Sequence, residues 1–334
     1  MRISGFNPHF DVRPSLITGD TADLYLHRTQ RVLRNEGLNP KVVMDFSPTQ
    51  PGVLCGTMEV RAILDKVAPE GAREMWAVDE GREVQVDEVC LSISTAYSPF
   101  GLYETAICGV LASSTGWATT ARECVNAAGT VPVVSVGAHN VHPSVAPVMD
   151  YAAVVGGCLT GSTVLGTKLA GTPPIATVSG ALVQIIGNAN KAIDAFDRSV
   201  APDVPRVAYV DPRGDVIAQT LEIAERMKEK LNAVRIARIP GAKLVTAEII
   251  KEIRTRLDEL DCRHVEIVVS GEMAPSRIKK LLDESAPVNV FHDTGYIAAA
   301  KPIGFKANIR TISDKPIPQE QELAPHNPRL IRLL

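Results

Sequence analysis

The chain has no Cys-x-x-Cys pair. Its six cysteines, Cys55, Cys90, Cys108, Cys124, Cys158 and Cys262, are scattered along the sequence. That spacing argues against a dedicated zinc site, and isolated free thiols behave mostly as small core residues. Basic excess is absent too. Lys and Arg number 35 against 38 Asp and Glu, for a formal net charge of −3, so the chain lacks the electrostatic footprint of a nucleic-acid binder. No stretch reaches the roughly 18 uninterrupted apolar residues of a membrane helix. The most apolar region, 151–171, is broken by Thr160, Ser162, Thr163 and Lys168. The opening residues, MRISGFNPHF, lack the basic and apolar stretches of a signal peptide. The expectation is a cytoplasmic protein that engages neither membrane nor nucleic acid.

What the chain does have is enough apolar content, 45% of 334 residues, to bury a large core in one domain or two. From about residue 131 short β-branched runs recur at 131–136, 158–161, 175–180, 206–211, 233–239, 265–270 and 288–291. Stretches of helical periodicity lie between most of them, as at 215–232, 246–260 and 276–285. In 215–232, Val216, Ile217, Leu221, Ile223, Ala224, Met227 and Leu231 form an apolar stripe. Thr246 and Ser276 stand as N-caps, and Glu248 and Glu252 lie where acids favour a helix start. Alternating strands and helices with near-continuous apolar strands imply a parallel sheet covered by helices. Seven such units suggest a barrel, complete or not, rather than a doubly wound sheet; composition alone does not separate the two.

The first hundred residues read differently. Helices are expected at 21–36 and 57–67, extended chain at 41–46 and 83–94, and a helical segment at 102–128 after the break at Pro99 and Gly101. The tail holds one strand, 305–312, and a Pro-rich end with Pro316, Pro318, Pro325 and Pro328. The expected organisation is α/β: a sandwich domain from 1–100 plus 303–334, and a barrel over 101–302.

In a parallel α/β barrel, reactive groups collect at the C-terminal ends of the strands. Those ends supply Gly137 to Pro143 (with His139, Asn140 and His142), Thr160 to Ser162, Thr177 to Gly180, and Asp211. Later strands add Arg235 to Arg238, Ser270 to Glu272, and His292 to Gly295. The set is rich in hydroxyls, small residues, His and Arg, and poor in paired carboxylates. Small residues before helix starts let backbone N–H groups approach an anion, a use that fits Ser270-Gly271 and Thr294-Gly295. Plainer readings stand beside these: His142-Pro143 as a helix cap, Asp211 as a hydrogen-bonding group or magnesium ligand. The adjacent His292 and Asp293 invite a metal reading that nothing else supports. Lys279, Lys280, Arg254 and Arg256 read as solvated helix faces.

Several of these segments fall in a familiar order. Phe100-Gly-Leu-Tyr-Glu-Thr105, then Val136-Gly-Ala-His-Asn-Val-His-Pro143, then Ala152-Ala-Val-Val-Gly-Gly157, are similar to segments of nicotinate phosphoribosyltransferases. Thr21-Ala-Asp-Leu-Tyr25 resembles that family's entry helix, and Val207 to Asp211, Val234-Arg235-Ile236 and Ser270-Gly271 fall where it has its strands. The match is collinear from about residue 20 to 312. It implies an open seven-stranded α/β barrel beside an α/β sandwich, in a homodimer with active sites near the subunit interface. The implied reaction joins a pyridine base to 5-phosphoribosyl pyrophosphate and releases pyrophosphate, with magnesium and often with ATP hydrolysis, in NAD biosynthesis.

By the same resemblance Tyr25 stacks the base while Thr177 and Arg235 contact it. His139 and Asn140 stand where the family has two Arg, and Val136 where it has Phe. Asp211 and His142 join the substrate-binding set, and Ser270, Gly271, Thr294 and Gly295 cradle phosphate. Ala237 replaces the family's ribose-holding Asp. Gly180 replaces the phosphorylated His, so ATP coupling through a phosphohistidine has no residue to use. Each charge-assisted contact to a buried anion is worth ~1.5–3 kcal/mol, so losing two guanidinium groups weakens anion binding by about 100-fold or more. Two alternatives follow: a catalytically reduced paralogue acting as a binding or regulatory subunit, and altered specificity for another base or phosphosugar.

Overall fold

A computed structural model describes residues 8–175, 177–211, 213–237, 245–317 and 327–334. Two compact units emerge: Met1–Thr120 with Ala300–Leu334, and Ala121–Ala299. The described strands are β1 Lys41–Pro48, β2 Gly52–Val53, β3 Arg73–Ala77, β4 Glu83–Val84, β5 Leu91–Ala96, β6 Val133–Ser135, β7 Val207–Val210, β8 Ala233–Ala237, β9 Glu266–Gly271, β10 Val290–Asp293, β11 Phe305–Ile312, β12 Lys315–Pro316 and β13 Ile331–Arg332.

In the first unit an antiparallel sheet runs β12-β11-β1-β5-β3-β13. Strand alternation sends Met44 and Phe46, paired with Ile93 and Leu91, to the face that builds the core. Val60, Ile63 and Leu64 of the helix Thr57–Val67 complete that core. This helix starts because Gly56 takes a left-handed φ of 103° and because Glu80 Oε1 accepts from Gly56 N (2.9 Å), Met58 N (3.0 Å) and Thr57 Oγ1 (3.1 Å). Asp45 lies on the other sheet face. It accepts from Ser92 Oγ at 2.6 Å and meets Arg310 Nε at 3.0 Å. Arg310 can reach it because the β1–β11 register slips between Val43 and Met44, leaving Arg310 as the extra residue of a bulge.

In the second unit a parallel sheet runs β6-β10-β9-β8-β7 with helices packed on it. Val210, Ile236, Val269, Phe291 and Val133 are register partners on one face and join the helix-packed core with Ile223, Ile250, Ile253 and Ile278. The opposite face carries one layer of Tyr209, Arg235, Val268 and Val290. A second layer, two residues further along the strands, holds Ala237, Ser270, His292 and Val134.

The α/β class holds, while the expected strand count needs correction. Segment 158–161 and the described residues of 175–180 are not strands. Leu159 N donates to Val133 O, but the return bond from Ser135 N goes to Thr160 O, one residue beyond what a regular parallel ladder uses. On the other edge Val178 N makes a bond to Val207 O without extending into a ladder. Among the described residues five strands therefore form the parallel sheet, with an extended segment bonded along each edge.

Segment 83–94 is not one strand either: β4 and β5 are separated by a turn at Asp87, φ 61°. Ser276 is not an N-cap, since its helix starts one residue earlier at Pro275. Thr246 does cap its helix, accepting from Ile249 N. Ile239, Arg238, Pro318 and Pro325 lie outside the described residues. All six cysteines are free and five are buried.

Candidate functional site

Arg235 sits in Ala-Val-Arg-Ile-Ala, where Val234 and Ile236 take the core side and alternation turns the arginine to the other face. Its Nε donates to Thr177 Oγ1 at 3.0 Å and its Nη2 to Val178 O at 3.2 Å. The guanidinium stacks over Tyr209, 5.0 Å from the ring centroid. Of the five N–H donors an arginine carries, two are thus engaged, and among the described residues no carboxylate pairs with it. Burial pulls its pKa below the usual value, with Tyr209 opposing. A Cβ at Gly180 would lie 3.3 Å from Tyr209 Cζ, so the glycine allows that ring its place.

In the next layer His292 is 6% exposed and Ser270 1%. The Ser270 hydroxyl has no hydrogen-bond partner among the described residues. Burial, with Arg235 second, lowers His292 to about 4, leaving the imidazole neutral at pH 7. Neither His292 nor Tyr209 stood out in the sequence for this role; register against Ser270 and Arg235 was the missing signal.

Asp293 turns to the opposite face and is fully buried. Its Oδ1 accepts from Met273 N (2.8 Å) and Tyr296 N (3.1 Å), and its Oδ2 from Ile297 N (2.9 Å). The carboxylate is a clamp for two chain segments. Thr294 N donates to Gly271 O at 2.8 Å, and Thr294 O accepts from Asn140 Nδ2. Asn140 and the Thr294-Gly295 turn are therefore together, although the Thr294 N–H of the expected phosphate cradle already has an internal acceptor.

His139 is exposed on the short turn Ala138–Asn140. His142 Nδ1 accepts from Ser144 N at 3.1 Å, the local turn bond of a cap. Asp211 takes a bidentate hold from Arg213, with Nη2 to Oδ2 at 2.6 Å, and this arginine keeps its carboxyl below the usual range. Tyr25 belongs to the first unit, 56% exposed on the helix Leu24–Asn35.

Asp150 was not foreseen. It is buried on the helix Ala146–Gly156, and its Oδ2 accepts from Ser162 N (3.0 Å), Thr163 N (2.7 Å) and Thr163 Oγ1 (2.8 Å). Ser135 Oγ donates to its other oxygen at 3.2 Å. Burial still raises its pKa against these bonds. Among the described residues no three His, Cys, Asp or Glu side chains gather as a metal site, and no helix is long and apolar enough to cross a membrane.

The N-terminal domain of quinolinate phosphoribosyl transferase matches residues 23–115, and its C-terminal domain matches 117–307. The chain belongs to that family. Nicotinate-nucleotide pyrophosphorylase from Pyrococcus furiosus is similar in structure at 34% identity, over 95% of this chain and 81% of that one, with a TM-score of 0.82. Nicotinate phosphoribosyltransferase pncB2 of Mycobacterium tuberculosis is 27% identical over 220 residues, 65% of this chain and 46% of that protein. The chain thus spans about half the length of the curated relatives it matches. Human nicotinic acid phosphoribosyltransferase, at 14% identity over 88% of this chain and 75% of that one, with a TM-score of 0.63, shares the fold. The resemblance read from the sequence is borne out at the level of the family.

Proposed function

We propose that the protein transfers the phosphoribosyl group of 5-phosphoribosyl pyrophosphate to a carboxylate-bearing pyridine base, nicotinate being the first to try, and releases pyrophosphate. One observation carries this reading: Arg235, partly buried, without a carboxylate partner among the described residues, and held by Thr177 and Val178 with donors to spare. A buried guanidinium costs free energy unless an anion meets it, and its planar fork suits a carboxylate. Tyr25 is the expected stacking ring. Its helix also exposes Leu24 and Val32, which supports pairing with a second copy. Charge develops on the ribose and on departing pyrophosphate in such a transfer, so positioning and anion stabilisation supply the rate.

Magnesium is expected with pyrophosphate, yet the described residues offer it no ligand set. Asp211 has both oxygens bound by Arg213. Localisation in the cytoplasm remains part of the proposal.

The test is pyrophosphate release from 5-phosphoribosyl pyrophosphate and magnesium with a panel of bases, with and without ATP. Release that requires a carboxylated pyridine and vanishes in Arg235→Ala supports the reading; release unaffected by that substitution refutes it. The internal bonding of the Thr294 N–H to Gly271 O favours a second reading, a binding subunit with a weakened phosphate cradle. Tight calorimetric binding of 5-phosphoribosyl pyrophosphate would count against it.

A further inference from the structure

The face of the parallel sheet that carries Arg235 holds two layers of side chains. Register partners on parallel strands project to the same side about 5 Å apart, and the next layer lies about 6.6 Å along the strands. Arg235 belongs to the first layer, between Tyr209 and Val268. Ala237, Ser270, His292 and Val134 are side by side in the second, nearer the strand ends. A pyridine ring whose carboxylate sits on Arg235 is about the size of one layer spacing, so its adjacent ring positions face Ser270 and His292.

Between its edges, and among the described residues, the second layer is polar and without charge. Ser270 has a hydroxyl buried to 1% exposure with no partner, a built vacancy for one hydrogen bond. His292 has an imidazole 6% exposed beside it. Arg235 is the charged group that acts on this histidine, and with burial it opposes protonation there. Asp211, at the β7 end of the layer, is closed by Arg213. Asp293, the next residue in the chain, points to the other face and bonds Met273, Tyr296 and Ile297. A second carboxylate on the ring would enter this layer and find no counter-charge among the described residues, and an unpaired buried charge is strongly disfavoured.

We propose that His292, with Ser270 beside it, is the specificity-determining element that limits the base to a single negative charge, admitting a pyridine monocarboxylate and refusing a pyridine dicarboxylate. The inference rests on the reading that Arg235 holds the base's carboxylate. It explains why a chain of the quinolinate phosphoribosyl transferase family also resembles enzymes named for nicotinate. The two bases differ by one carboxylate, and the second layer is where that difference is read.

The experiment titrates the intact protein calorimetrically with nicotinate and with quinolinate, with pyrophosphate release measured in parallel. The same pair is run on His292→Lys, His292→Gln and Ser270→Ala. Wild type is expected to favour nicotinate at least 10-fold, since one charge-assisted contact is at stake. His292→Lys should move the quinolinate-to-nicotinate ratio upward by about 10-fold or more, whereas His292→Gln, also neutral, should hold it within a few-fold. General damage to the site lowers both bases together and leaves the ratio alone. Equal or tighter quinolinate binding by wild type overturns the proposal, as does an unmoved ratio in a folded His292→Lys. If His292→Lys fails to fold, the wild-type preference and its retention in His292→Gln decide. Selective binding with no pyrophosphate release would sink the transfer reading and leave the selectivity standing. Release with both bases alike would do the reverse, and binding of neither would remove both.

Discussion

The Asp45 site on the first unit's sheet and the Arg235 face of the second unit's sheet treat polar groups in opposite ways. On the first, Asp45 is met by Ser92 and Arg310, the latter delivered by a bulge. On the second, the face that carries Arg235 and Ser270 leaves donors without acceptors. The difference does not come from burial, since Arg310 and Arg235 are alike in being only partly withdrawn from water. It lies in whether the chain completes its own hydrogen bonds. Matched groups hold a fold together, while unmatched ones in a family of phosphoribosyl transferases mark where a ligand would complete them.

Substitutions can break that contrast. The largest effect is expected at Arg235: Arg235→Ala should cut pyrophosphate release by about 100-fold or more while changing stability by no more than about 1 kcal/mol, because no ion pair is lost. A denaturant midpoint that drops in step with activity would contradict this. Asp45→Ala should do the converse, lowering unfolding free energy by about 2 kcal/mol through the stranded, partly exposed Arg310, with turnover per folded molecule unchanged. Urea titration beside an activity assay decides. Thr177→Val should raise the Michaelis constant for the base by about 5-fold, in keeping with about 1 kcal/mol for a neutral hydrogen bond that steadies Arg235; an unaltered constant would show that Val178 O suffices.

The smallest effect is on pH-dependent stability, because the two units oppose each other. His292 is lowered to about 4 by burial and Arg235. Between 6.5 and 4 the unfolded chain therefore takes up a proton that the fold refuses, and stability falls on acidification. Glu59 in the first unit is raised to about 7 by burial and by Glu80. There the fold holds a proton that the unfolded chain releases, and stability falls as pH rises from 4.5 to 7. Wild type should be nearly flat from 4.5 to 6.5 as far as these two groups go. Glu59→Gln should expose the histidine slope as a loss of stability at pH 5 relative to 6.5. An equally flat profile in Glu59→Gln would show that the opposition is absent.

How much of this could be read in advance depended on the range of the interaction. The helix Thr57–Val67 was legible from its own residues, and so was Arg235, because strand alternation is local. Asp293 was not, since a shift of one residue in the β10 register decides whether its carboxylate meets the Arg235 face or the helices. Segment 158–161 misled because its composition suits a strand while its pairing with β6 slips by one residue. Asp150 was invisible for a different reason. Two of its four partners are backbone N–H groups twelve and thirteen residues away, and backbone carries no signature in a sequence. Ser270 and His292 are adjacent only through β9 and β10, twenty-two residues apart.

The Asp293 clamp also sets a clock. Three amide protons, from Met273, Tyr296 and Ile297, share one buried acceptor group. None can meet solvent while that carboxylate keeps its place, so deuterium should enter all three at a common rate, that of one local opening. The rhythm of that opening governs how often the turn after β10 loosens, and with it Thr294 and Asn140, which are tied to the same turn.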